Sequence, residues 1–516
     1  MREALSALDG ARFDVVIIGG GISGASTAQH LAAAGYSVLL VEKGDFASAA
    51  TSRSSRLLHS GLRYLAPPRS PWEYLWHPGQ LWTAIKTVKR AMETRAQFVA
   101  TAPERVRTMT IDYPVYRDSG FKGWQFDLGA RLLDAFNPSD LSINYRRMTP
   151  AEALARPLVR CLRDTDRLAS VVSFDEYRFH WPERIAIDAL LDAERMGAVV
   201  RNYTKATKVA RDEGAGWRVA IEDVRREGER ATVEGRILLN MTGVWMDGIN
   251  RAASTATPQR KIVAVKGVHI LIKLPREFEG HGLAGMNSEK EHMFCLPWGD
   301  HHYIGPTETV YQGDIEDVRP LEEDIAILLH EMDFMLPGLG LTRKDVLFAW
   351  AGARPITYDP ERAKGRRLPF SVLQSLDGDG LPDAMTITWA TIMFHRAVAG
   401  DVVKAVGKRA KPSKAPQPIS YAARLHPENQ NSPPLHEAHT EVKVSDLRFA
   451  AEREHAEHLV DILYRRTGLG WAVPIPPETA ERAARSVADI LGWDEARIAE
   501  EVARFRDYVA RYHLSG

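Results

Sequence analysis

Residues 51–65, TSRSSRLLHSGLRYL, combine short hydroxyls, arginines and one histidine in a single dense run. Hydroxyl and guanidinium groups donate hydrogen bonds to anionic oxygens, and histidine accepts a proton near neutral pH. The run therefore suits a nucleic-acid arm, a solvated loop or a segment folded around an anionic cofactor. The first interpretation is disfavoured, because 67 basic and 67 acidic residues leave no net positive charge to attract nucleic acid.

A glycine-rich turn lies upstream of this run, between two apolar segments. DVVII at 14–18 leads into GGGISG, a helical pattern then continues to Gly35, and YSVLLVEKGD at 36–45 is a second apolar segment that ends in acidic residues. A strand, a glycine turn, a helix and a second strand within about 30 residues are the arrangement of a dinucleotide-binding unit.

Each glycine of this turn has a physical role. Gly19 permits the tight turn, Gly21 lets the backbone approach a pyrophosphate, and Gly24 lets helix and strand pack closely. The helix that starts at Ile22 and Ser23 offers free N–H groups to the phosphates. We therefore assign these five residues to a cofactor site.

An acid at the end of the second apolar segment completes the unit. Glu42 lies about 20 residues after the turn, where a carboxylate can accept hydrogen bonds from both ribose hydroxyls of an adenosine, which argues against a 2′-phosphate there. Glu42 and the adjacent Lys43 are assigned to the cofactor. The alternative is a coincidental glycine-rich turn, and the register of the strands, the helix and the acid disfavours it.

Further elements are predicted along the rest of the chain. An amphipathic helix is expected at 183–199, and an apolar strand at 236–243 runs into Thr242 and Gly243. Alternating apolar and polar residues between about 260 and 312 predict a mixed or antiparallel sheet, the candidate for a substrate wall. The remaining predictions are a helix at 320–335, a strand at 346–356, a linker within 408–438 and a helical domain from about 445 onward.

Length and composition set broad limits. A chain of 516 residues exceeds what one hydrophobic core usually supports, which predicts two or three domains. The amino terminus lacks a basic head followed by an apolar core, and no window approaches the about 18 apolar residues that span a bilayer. We therefore expect a cytoplasmic protein, and peripheral contact with the inner face of a membrane stays open.

Disulfide and metal chemistry are not predicted. The two cysteines, Cys161 and Cys295, lie far apart in sequence and are interpreted as small buried hydrophobes. His301 and His302 are adjacent, and neighbours on a strand point to opposite faces, so we interpret them as a surface or turn pair rather than metal ligands.

The sequence resembles the FAD-dependent glycerol-3-phosphate dehydrogenases and oxidases. The resemblance implies an α/β protein with a Rossmann-like FAD-binding domain of the glutathione-reductase or D-amino-acid-oxidase type, a mixed antiparallel-sheet substrate domain and a C-terminal helical domain. It is carried by DVVIIGGGISGA, VLLVEKGDFASAATSRSSRLLHSGLRYL, KGVHI, LPWGDHHYIGPTETVYQGDIEDVRPLEEDIAILL, WAGARPI and LGWDEARIAEEVARFRDYVARY, in the family's order.

The resemblance also implies a division into domains. Residues 1–410 are expected to form the oxidoreductase module, 411–438 a linker and 439–516 the helical domain. Within the module, the FAD-binding segments are about 12–65, 180–250 and 345–407, and the substrate-domain segments are about 66–179 and 255–344.

The resemblance assigns the 51–65 run to the flavin. Its hydroxyls and amides are expected to face the diphosphate and the isoalloxazine edge, whereas direct and structural roles for Arg53 and Arg56 stay equally open. Arg63 and Tyr64 match positions that line the substrate pocket. The assigned cofactor residues of this and later blocks are Thr51, Ser52, Ser54, Ser55, His59, Thr242, Gly243, Gly352 and Arg354.

The implied reaction moves a hydride from a carbinol carbon to flavin N5 while a base takes the hydroxyl proton. His59 and His269 are the candidate bases, and either can instead be a core histidine. Arg63 and Arg354 complete the candidate catalytic set, because a guanidinium grips the anionic end of a substrate. The candidate substrate-binding residues are Arg63, Tyr64, Thr307, Arg354 and Thr391.

The chain departs from the family in the pocket. WATIMFHR at 389–396 replaces a Gly-Gly-Lys and its following threonines, WPER at 181–184 keeps only the arginine of an Asp-Asp-Ala-Arg block, and Pro306 and Glu308 replace Thr and Asp. A further family arginine has only Arg366 and Arg367 nearby. Losing a lysine weakens the hold on a phosphate dianion, so we expect glycerol 3-phosphate or a bulkier, less charged polyol, sugar or cyclitol derivative.

Two other functions stay open at this stage: a flavoprotein amine or amino-acid oxidase on the same scaffold, and a non-catalytic flavin-bearing relative. The expected electron acceptor is a quinone or O2. Residues 70–91, with three tryptophans and basic residues, are a candidate membrane patch or subunit contact. A homodimer is a further possibility, and no nucleic-acid partner is expected.

Overall fold

The computed structural model describes residues 4–65, 78–137, 141–212, 216–360, 370–472 and 474–514, with only the backbone described at Arg63 and Tyr64. The strands are β1 Arg12–Ile18, β2 Val38–Val41, β3 Leu57–Leu58, β4 Val106–Tyr116, β5 Arg146–Met148, β6 Leu168–Phe179, β7 Val199–Arg201, β8 Thr204–Asp212, β9 Gly216–Asp223, β10 Arg230–Asn240, β11 Ile262–Ile272, β12 His281–Met286, β13 His292–Trp298, β14 His301–Gly305, β15 Thr309–Val310, β16 Val346–Thr357, β17 Val372–Ser375, β18 Ala384–Thr388, β19 Pro434–His436 and β20 His439–Lys443.

The α-helices follow in chain order, together with one π-helical turn at Asp461–Arg466. They are α1 Ile22–Ala33, α2 Pro78–Thr101, α3 Gly123–Ala135, α4 Pro150–Ala153, α5 Pro157–Arg160, α6 Pro182–Arg195, α7 Met246–Ala253, α8 Glu322–Met335, α9 His395–Gly407, α10 Val444–Arg453, α11 Leu469–Ala472, α12 Pro477–Leu491 and α13 Glu495–His513.

The first sheet has a parallel centre, β18-β10-β1-β2-β7, an antiparallel edge strand β17, and cover on both faces. Its order is β17-β18-β10-β1-β2-β7, and β1 pairs in parallel with both β2 and β10. Val15 and Ile17 of β1 pack towards α1, whereas Val16 and Ile18 pack towards the β8-β9-β10 meander and Trp217. This burial on two faces explains why β1 reads as a continuous apolar run.

The second sheet is mixed, with the order β15-β11-β14-β13-β12-β4-β6-β3. β16 pairs antiparallel with β11 over its whole length, β5 pairs with β6, and the β12–β4 pair is parallel. The predicted mixed sheet is confirmed, as are the helix at 320–335 and the strand at 346–356. α8 covers one face of this sheet through Leu328 and Met332.

The C-terminal region packs against the other face of the second sheet. Trp471, Tyr464 and Phe505 join one apolar cluster with Trp298 and Trp350. The chain also forms a short hairpin, β19–β20, which the sequence pattern did not predict because each strand is too short to show alternation. The segment before this hairpin contacts the helices of the first sheet: Tyr421 reaches His30 of α1, and the Arg424 N–H donates to Asp188 of α6.

Two histidines of β14 correct the expectation of a surface or turn pair. His302 is buried and its Nε2 lies 3.0 Å from the His281 carbonyl oxygen, while only His301 reaches an exposed partner, Asp300 at 2.6 Å. Within the described ranges, no cluster of histidine, cysteine and acidic residues has the arrangement of a metal site. None of the helices described is both long and apolar enough to cross a membrane.

Candidate functional site

The glycine turn joins β1 to the N-terminus of α1 and leaves no room for a side chain at Gly19 or Gly24. A Cβ at Gly24 would lie 1.9 Å from the Gly19 carbonyl oxygen, and a Cβ at Gly19 would lie 2.5 Å from the Met241 carbonyl oxygen. Gly19 also has a φ of 110°, which favours glycine. Thr51 accepts a hydrogen bond from the Ile22 N–H at 3.0 Å, so the 51–65 run begins directly on this helix terminus.

Glu42 lies at the carboxyl edge of the first sheet, beside the glycine turn. Its carboxylate accepts hydrogen bonds from the N–H groups of Gly20, at 2.7 Å, and Gly44, at 2.9 Å. Burial raises the pKa of this carboxyl. A carboxylate fixed at the strand end next to a glycine turn is placed to receive ribose hydroxyls.

Lys43 pairs with Glu316, in the segment that precedes α8. Its ammonium donates to both carboxylate oxygens of Glu316 at 2.6 Å and lies 4.2 Å from the centre of the Trp245 ring. Trp245 Nε1 donates to the same carboxylate at 2.7 Å. Lys43 therefore ties the strand end to the loop before α8.

Residues 52–56 lie against the second sheet. The Ser54 carbonyl accepts from Trp350 Nε1 at 3.2 Å, and the Ser55 carbonyl accepts from the Tyr303 hydroxyl at 3.0 Å. Gly352 of β16 allows this approach, because a Cβ there would lie 2.6 Å from the Arg53 carbonyl oxygen. The run thus connects the glycine turn with β14 and β16. Two of its predicted cofactor hydroxyls have protein partners: Ser52 donates to the carbonyl of Ala47, upstream of the run, and Ser54 Oγ accepts from the Arg56 N–H at 3.2 Å.

Arg53 and Arg56 make structural contacts. The Arg56 guanidinium is fully buried between the rings of Trp298 and Trp471, at 4.6 and 4.3 Å, and donates to the Ser52 carbonyl at 3.1 Å. Arg53 donates to the Val318 carbonyl at 2.9 Å. The structure therefore favours the structural interpretation for both residues.

His59 follows β3, in the turn that leads to the 3₁₀ segment Leu62–Leu65. The neighbouring Ser60 donates from its N–H and its hydroxyl to the two carboxylate oxygens of Glu176, both at 2.6 Å. Burial raises the pKa of Glu176 to about 7. Glu176 lies inside β6 and was missed by sequence reasoning, because one acid in an alternating strand carries no signal. The predicted pocket side chains of Arg63 and Tyr64 lie outside the described residues.

His269 is buried in the second sheet rather than placed at an open surface. Its ring stacks on Trp350 at 5.0 Å, and its Nε2 lies 3.0 Å from the Ser55 hydroxyl oxygen. Burial, reinforced by the charge of Arg354, lowers the pKa of His269 to about 3. A base with so low a pKa is a poor proton acceptor near neutral pH, so this environment opposes the expected role of His269 as the base.

Arg354 projects from β16 beside the turn that follows β14. Its Nη1 donates to Glu308 at 2.6 Å and its Nη2 to the Thr307 carbonyl at 3.4 Å. Thr307 Oγ1 in turn accepts from the Val268 N–H at 3.0 Å, so Thr307 fixes the turn rather than projecting from it. Arg354 is thus already paired with a carboxylate.

Residues 389–391 begin beside the end of β16. The Trp389 N–H donates to the carbonyl of Pro355, the neighbour of Arg354, at 2.7 Å. Trp389 has a φ of 47°, a conformation that suits glycine, and its ring lies 4.4 Å from that of Phe370. Thr391 contacts Ser371, with 3.3 Å between the two hydroxyl oxygens. The backbone at 389 therefore has a conformation that favours glycine, although the residue is tryptophan.

The remaining predicted positions are Thr242 and Gly243 after β10, Arg184 in α6, and residues outside the described ranges. Thr242 donates to Asn240 Oδ1 at 2.6 Å, and Gly243, with a φ of 62°, follows it at the end of β10 beside Gly19. Arg184 is doubly paired with Glu454 at 2.5 and 2.6 Å, so it anchors the C-terminal region. Arg366, Arg367 and residues 70–77 of the candidate patch lie outside the described residues.

The two sheets together define a class of protein. A glycine turn, a helix N-terminus and a buried acid at a strand end form a dinucleotide site, and residues 52–56 join that site to a mixed sheet bearing Arg354. The close backbone packing at Gly19 and Gly24 brings the turn and the N-terminus of α1 together, and a helix N-terminus suits the diphosphate of a dinucleotide. The protein is therefore a dinucleotide-binding enzyme built from a cofactor sheet and a second, mixed sheet.

Comparison with known proteins identifies the family. The chain matches the FAD dependent oxidoreductase model over residues 14–381 and the model of the C-terminal domain of alpha-glycerophosphate oxidase over residues 398–498. The chain belongs to the FAD dependent oxidoreductase family. The predicted flavin cofactor, FAD, and the predicted fold are confirmed.

Curated relatives and solved structures agree with this assignment. The chain is 25% identical to a glycerol-3-phosphate dehydrogenase of Synechocystis over 96% of both chains, and 27% identical to the aerobic glycerol-3-phosphate dehydrogenase of Staphylococcus aureus over 77% of this chain and 68% of the relative. The glycerol-3-phosphate dehydrogenase of Bacillus halodurans complexed with FAD superposes with a TM-score of 0.72 at 20% identity, covering 98% of this chain and 96% of that chain. The L-alpha-glycerophosphate oxidase of Mycoplasma pneumoniae with FAD bound gives 0.61 at 15% identity, covering 81% and 100%.

Proposed function

We propose that the protein oxidises a secondary alcohol of glycerol 3-phosphate, or of a related polyol derivative, to a ketone. Two observations support this reaction: the sequence motifs shared with the FAD-dependent glycerol-3-phosphate dehydrogenases and oxidases, and the curated relatives. When bound, FAD supplies a ring that accepts a hydride at N5. The protein's own residues must orient the alcohol, exclude water and take up the hydroxyl proton.

One observation supports the proposal more than any other. Gly352 and Arg354 lie two residues apart on β16, and the first contacts the segment that follows the cofactor turn while the second carries a guanidinium. A substrate held by Arg354 would therefore lie next to the cofactor segment. We assign Arg354 to orientation of the substrate through paired hydrogen bonds.

Of the two candidate bases, we assign uptake of the hydroxyl proton to His59. The environment of His269 lowers its pKa to about 3, whereas His59 lies in the turn that Glu176 holds through Ser60. We expect Glu176 to limit the movement of that turn, because both of its carboxylate oxygens are bonded to Ser60. Arg63 and Tyr64 are assigned to the same pocket, following the resemblance.

The charge around Arg354 bears on the substrate. Glu308 neutralises the guanidinium at 2.6 Å, and burial together with the carboxylates of Glu308 and Glu289 raises the pKa of Glu291 nearby. The charge of a phosphate dianion is compensated less well beside this neutralised arginine than in a pocket that also carries a lysine. We therefore propose that the substrate carries less charge or more bulk than glycerol 3-phosphate, in keeping with Trp389 beside the end of β16.

The proposal also covers the electron acceptor, the domain division and the assembly. We propose that the electrons pass to a quinone or O2. We also propose domain boundaries at about residues 410 and 438, a homodimer and peripheral contact with a membrane. In the described part of the candidate patch, Trp82 of α2 is 59% exposed and lies 5.2 Å from the Lys86 ammonium. Vesicle flotation of the wild type and of Trp82→Ala tests the membrane contact.

Anaerobic flavin reduction tests the proposed reaction. Wild-type holoprotein is mixed with glycerol 3-phosphate, unphosphorylated polyols, sugar phosphates and amines, and bleaching of the flavin is followed. We expect alcohols to bleach the flavin and Arg354→Met to lower kcat/KM for anionic alcohols by about 10- to 100-fold. Arg343→Met is the matched control, since Arg343 pairs with Glu322 at 2.9 Å on an exposed helix.

Three outcomes would contradict parts of the proposal. Bleaching by amines alone would move the protein to the amine oxidases, and stable FAD that no alcohol reduces would indicate a non-catalytic protein. Rapid bleaching by glycerol 3-phosphate in preference to every other alcohol would overturn the inference about charge and bulk while leaving the reaction intact.

A further inference from the structure

A loop in the cofactor domain is held by two arginines from the far end of the chain. Asp45 follows Glu42 by three residues and is buried. Arg466 donates to both of its carboxylate oxygens, Nη1 at 2.8 Å and Nη2 at 2.7 Å, and Arg465 Nε donates to it at 2.5 Å. These partners are 421 and 420 residues away in sequence.

We propose that Arg466 is a positioning residue for FAD: by fixing Asp45, it holds the loop that carries the ribose-binding carboxylate of Glu42. The C-terminal region would then control cofactor affinity from outside the cofactor domain. This inference depends on FAD being the cofactor and not on the identity of the substrate.

The loop from Glu42 to Ala47 connects the arginines to the cofactor site. At its near end the Gly44 N–H donates to Glu42 at 2.9 Å, and at its far end the Ala47 N–H donates to the Gly20 carbonyl at 3.0 Å. Asp45 lies between these two contacts, of which the second is with the glycine turn. A displacement of Asp45 would therefore move the Gly44 amide that orients the Glu42 carboxylate.

The arginines are themselves firmly held. Arg466 Nε donates to the Glu454 carbonyl at 2.8 Å, and Glu454 pairs with Arg184 of α6. Arg465 Nη2 donates to Asp461 at 2.5 Å. Both arginines lie on the π-helical turn Asp461–Arg466, a rare conformation that often occurs at functional sites.

The charges around Asp45 explain why the loop depends on Arg466. Burial opposes ionisation of Asp45, yet Arg466 and Arg465 outweigh it and lower the pKa of the carboxyl well below its usual range. Asn202 adds a hydrogen bond at 2.9 Å. Removing Arg466 would leave a buried carboxylate with a single cation, and such a group moves towards water unless the lost partner is replaced.

Coupling between the two regions must act in both directions. If Arg466 improves the binding of FAD, then bound FAD stabilises the contact between Arg466 and the loop by the same factor. A residue that only supports the fold would lower the stability of the free and the FAD-bound protein equally. A positioning role therefore predicts a higher FAD dissociation constant when Arg466 is replaced, whereas a purely structural role predicts an unchanged one.

The test measures that constant without any substrate. Holoprotein of the wild type, Arg466→Met and Arg466→Lys is diluted serially, and released FAD is read from its fluorescence; thermal midpoints are recorded with and without excess FAD. We expect the dissociation constant to rise about tenfold or more in Arg466→Met, with a smaller rise in Arg466→Lys, which keeps the charge but loses the paired geometry. The increase in thermal midpoint caused by FAD should be smaller than in wild type in Arg466→Lys and smallest in Arg466→Met.

Arg448→Met is the matched control. Arg448 makes a paired contact with Asp489, at 2.7 and 2.8 Å, in the same C-terminal region. The Arg448→Met substitution should leave the FAD dissociation constant unchanged. Dissociation constants within twofold of wild type in a folded Arg466→Met protein would overturn the proposal. If Arg466→Met does not fold, a dissociation constant of folded Arg466→Lys that equals that of the wild type would overturn the proposal.

Discussion

Replacing Glu176 by glutamine should change how the stability of the protein depends on pH. Glu176 is buried, and burial raises the pKa of its carboxyl from 4.5 to about 7, although Arg95 and the hydrogen bonds from Ser60 oppose the shift. The folded state therefore holds a proton that the unfolded chain releases between these two pH values. Glutamine keeps the shape of the side chain and removes the titration.

The sign and size of the effect follow from proton linkage. Because the pKa is raised in the folded state, the stability linked to this proton is fully present below about pH 4.5 and is lost as the pH rises through about 7. Each pH unit of that interval is worth about 1.4 kcal/mol, so the full loss is about 3 kcal/mol. The free energy of unfolding of Glu176→Gln, relative to wild type, should thus rise by about 3 kcal/mol between pH 4.5 and pH 8.

Urea unfolding of FAD-saturated protein at several pH values measures the difference. Ser60→Ala is the control: it removes one hydrogen bond to the charged carboxylate, so the loss of stability should extend to higher pH. A difference in unfolding free energy between wild type and Glu176→Gln that is the same at all pH values would refute the reasoning. Because Ser60 adjoins His59, kcat should also fall in Glu176→Gln if the turn loses its position.

Three further predictions concern the site. Gly24→Ala should yield protein without visible flavin absorbance, because its Cβ would lie 1.9 Å from the Gly19 carbonyl oxygen, whereas Gly248→Ala, with nothing within 4 Å of the added Cβ, should stay yellow. Thr391→Lys should lower KM for phosphorylated relative to unphosphorylated alcohols by about tenfold, as measured by steady-state kinetics, and an unchanged ratio would place residue 391 outside the pocket. His269→Gln should preserve the pH profile of kcat, since a base with a pKa of about 3 does not titrate near neutrality; a shifted profile would assign the base to His269.

Local features of the sequence were sufficient to predict the cofactor unit. The spacing of Gly19, Gly21 and Gly24 between two apolar strands, with Glu42 at the second strand end, describes a structure whose parts are neighbours in the chain. Turn geometry and helix initiation depend on residues within a few positions, so their pattern is readable without the fold. The helix α8 and strand β16 were predictable for the same reason.

The tertiary structure alone decided which charged and polar groups meet. Arg354 pairs with Glu308, Ser60 with Glu176 and Asp45 with Arg466, and none of these pairs has a spacing that a sequence pattern could mark. Whether a histidine can act as a base was equally hidden, because the pKa of His269 depends on its burial beside Trp350. The sequence by itself determined the cofactor fold through short-range geometry. The chemistry of the substrate side depends on burial and long-range pairing, which exist only once distant segments have come together.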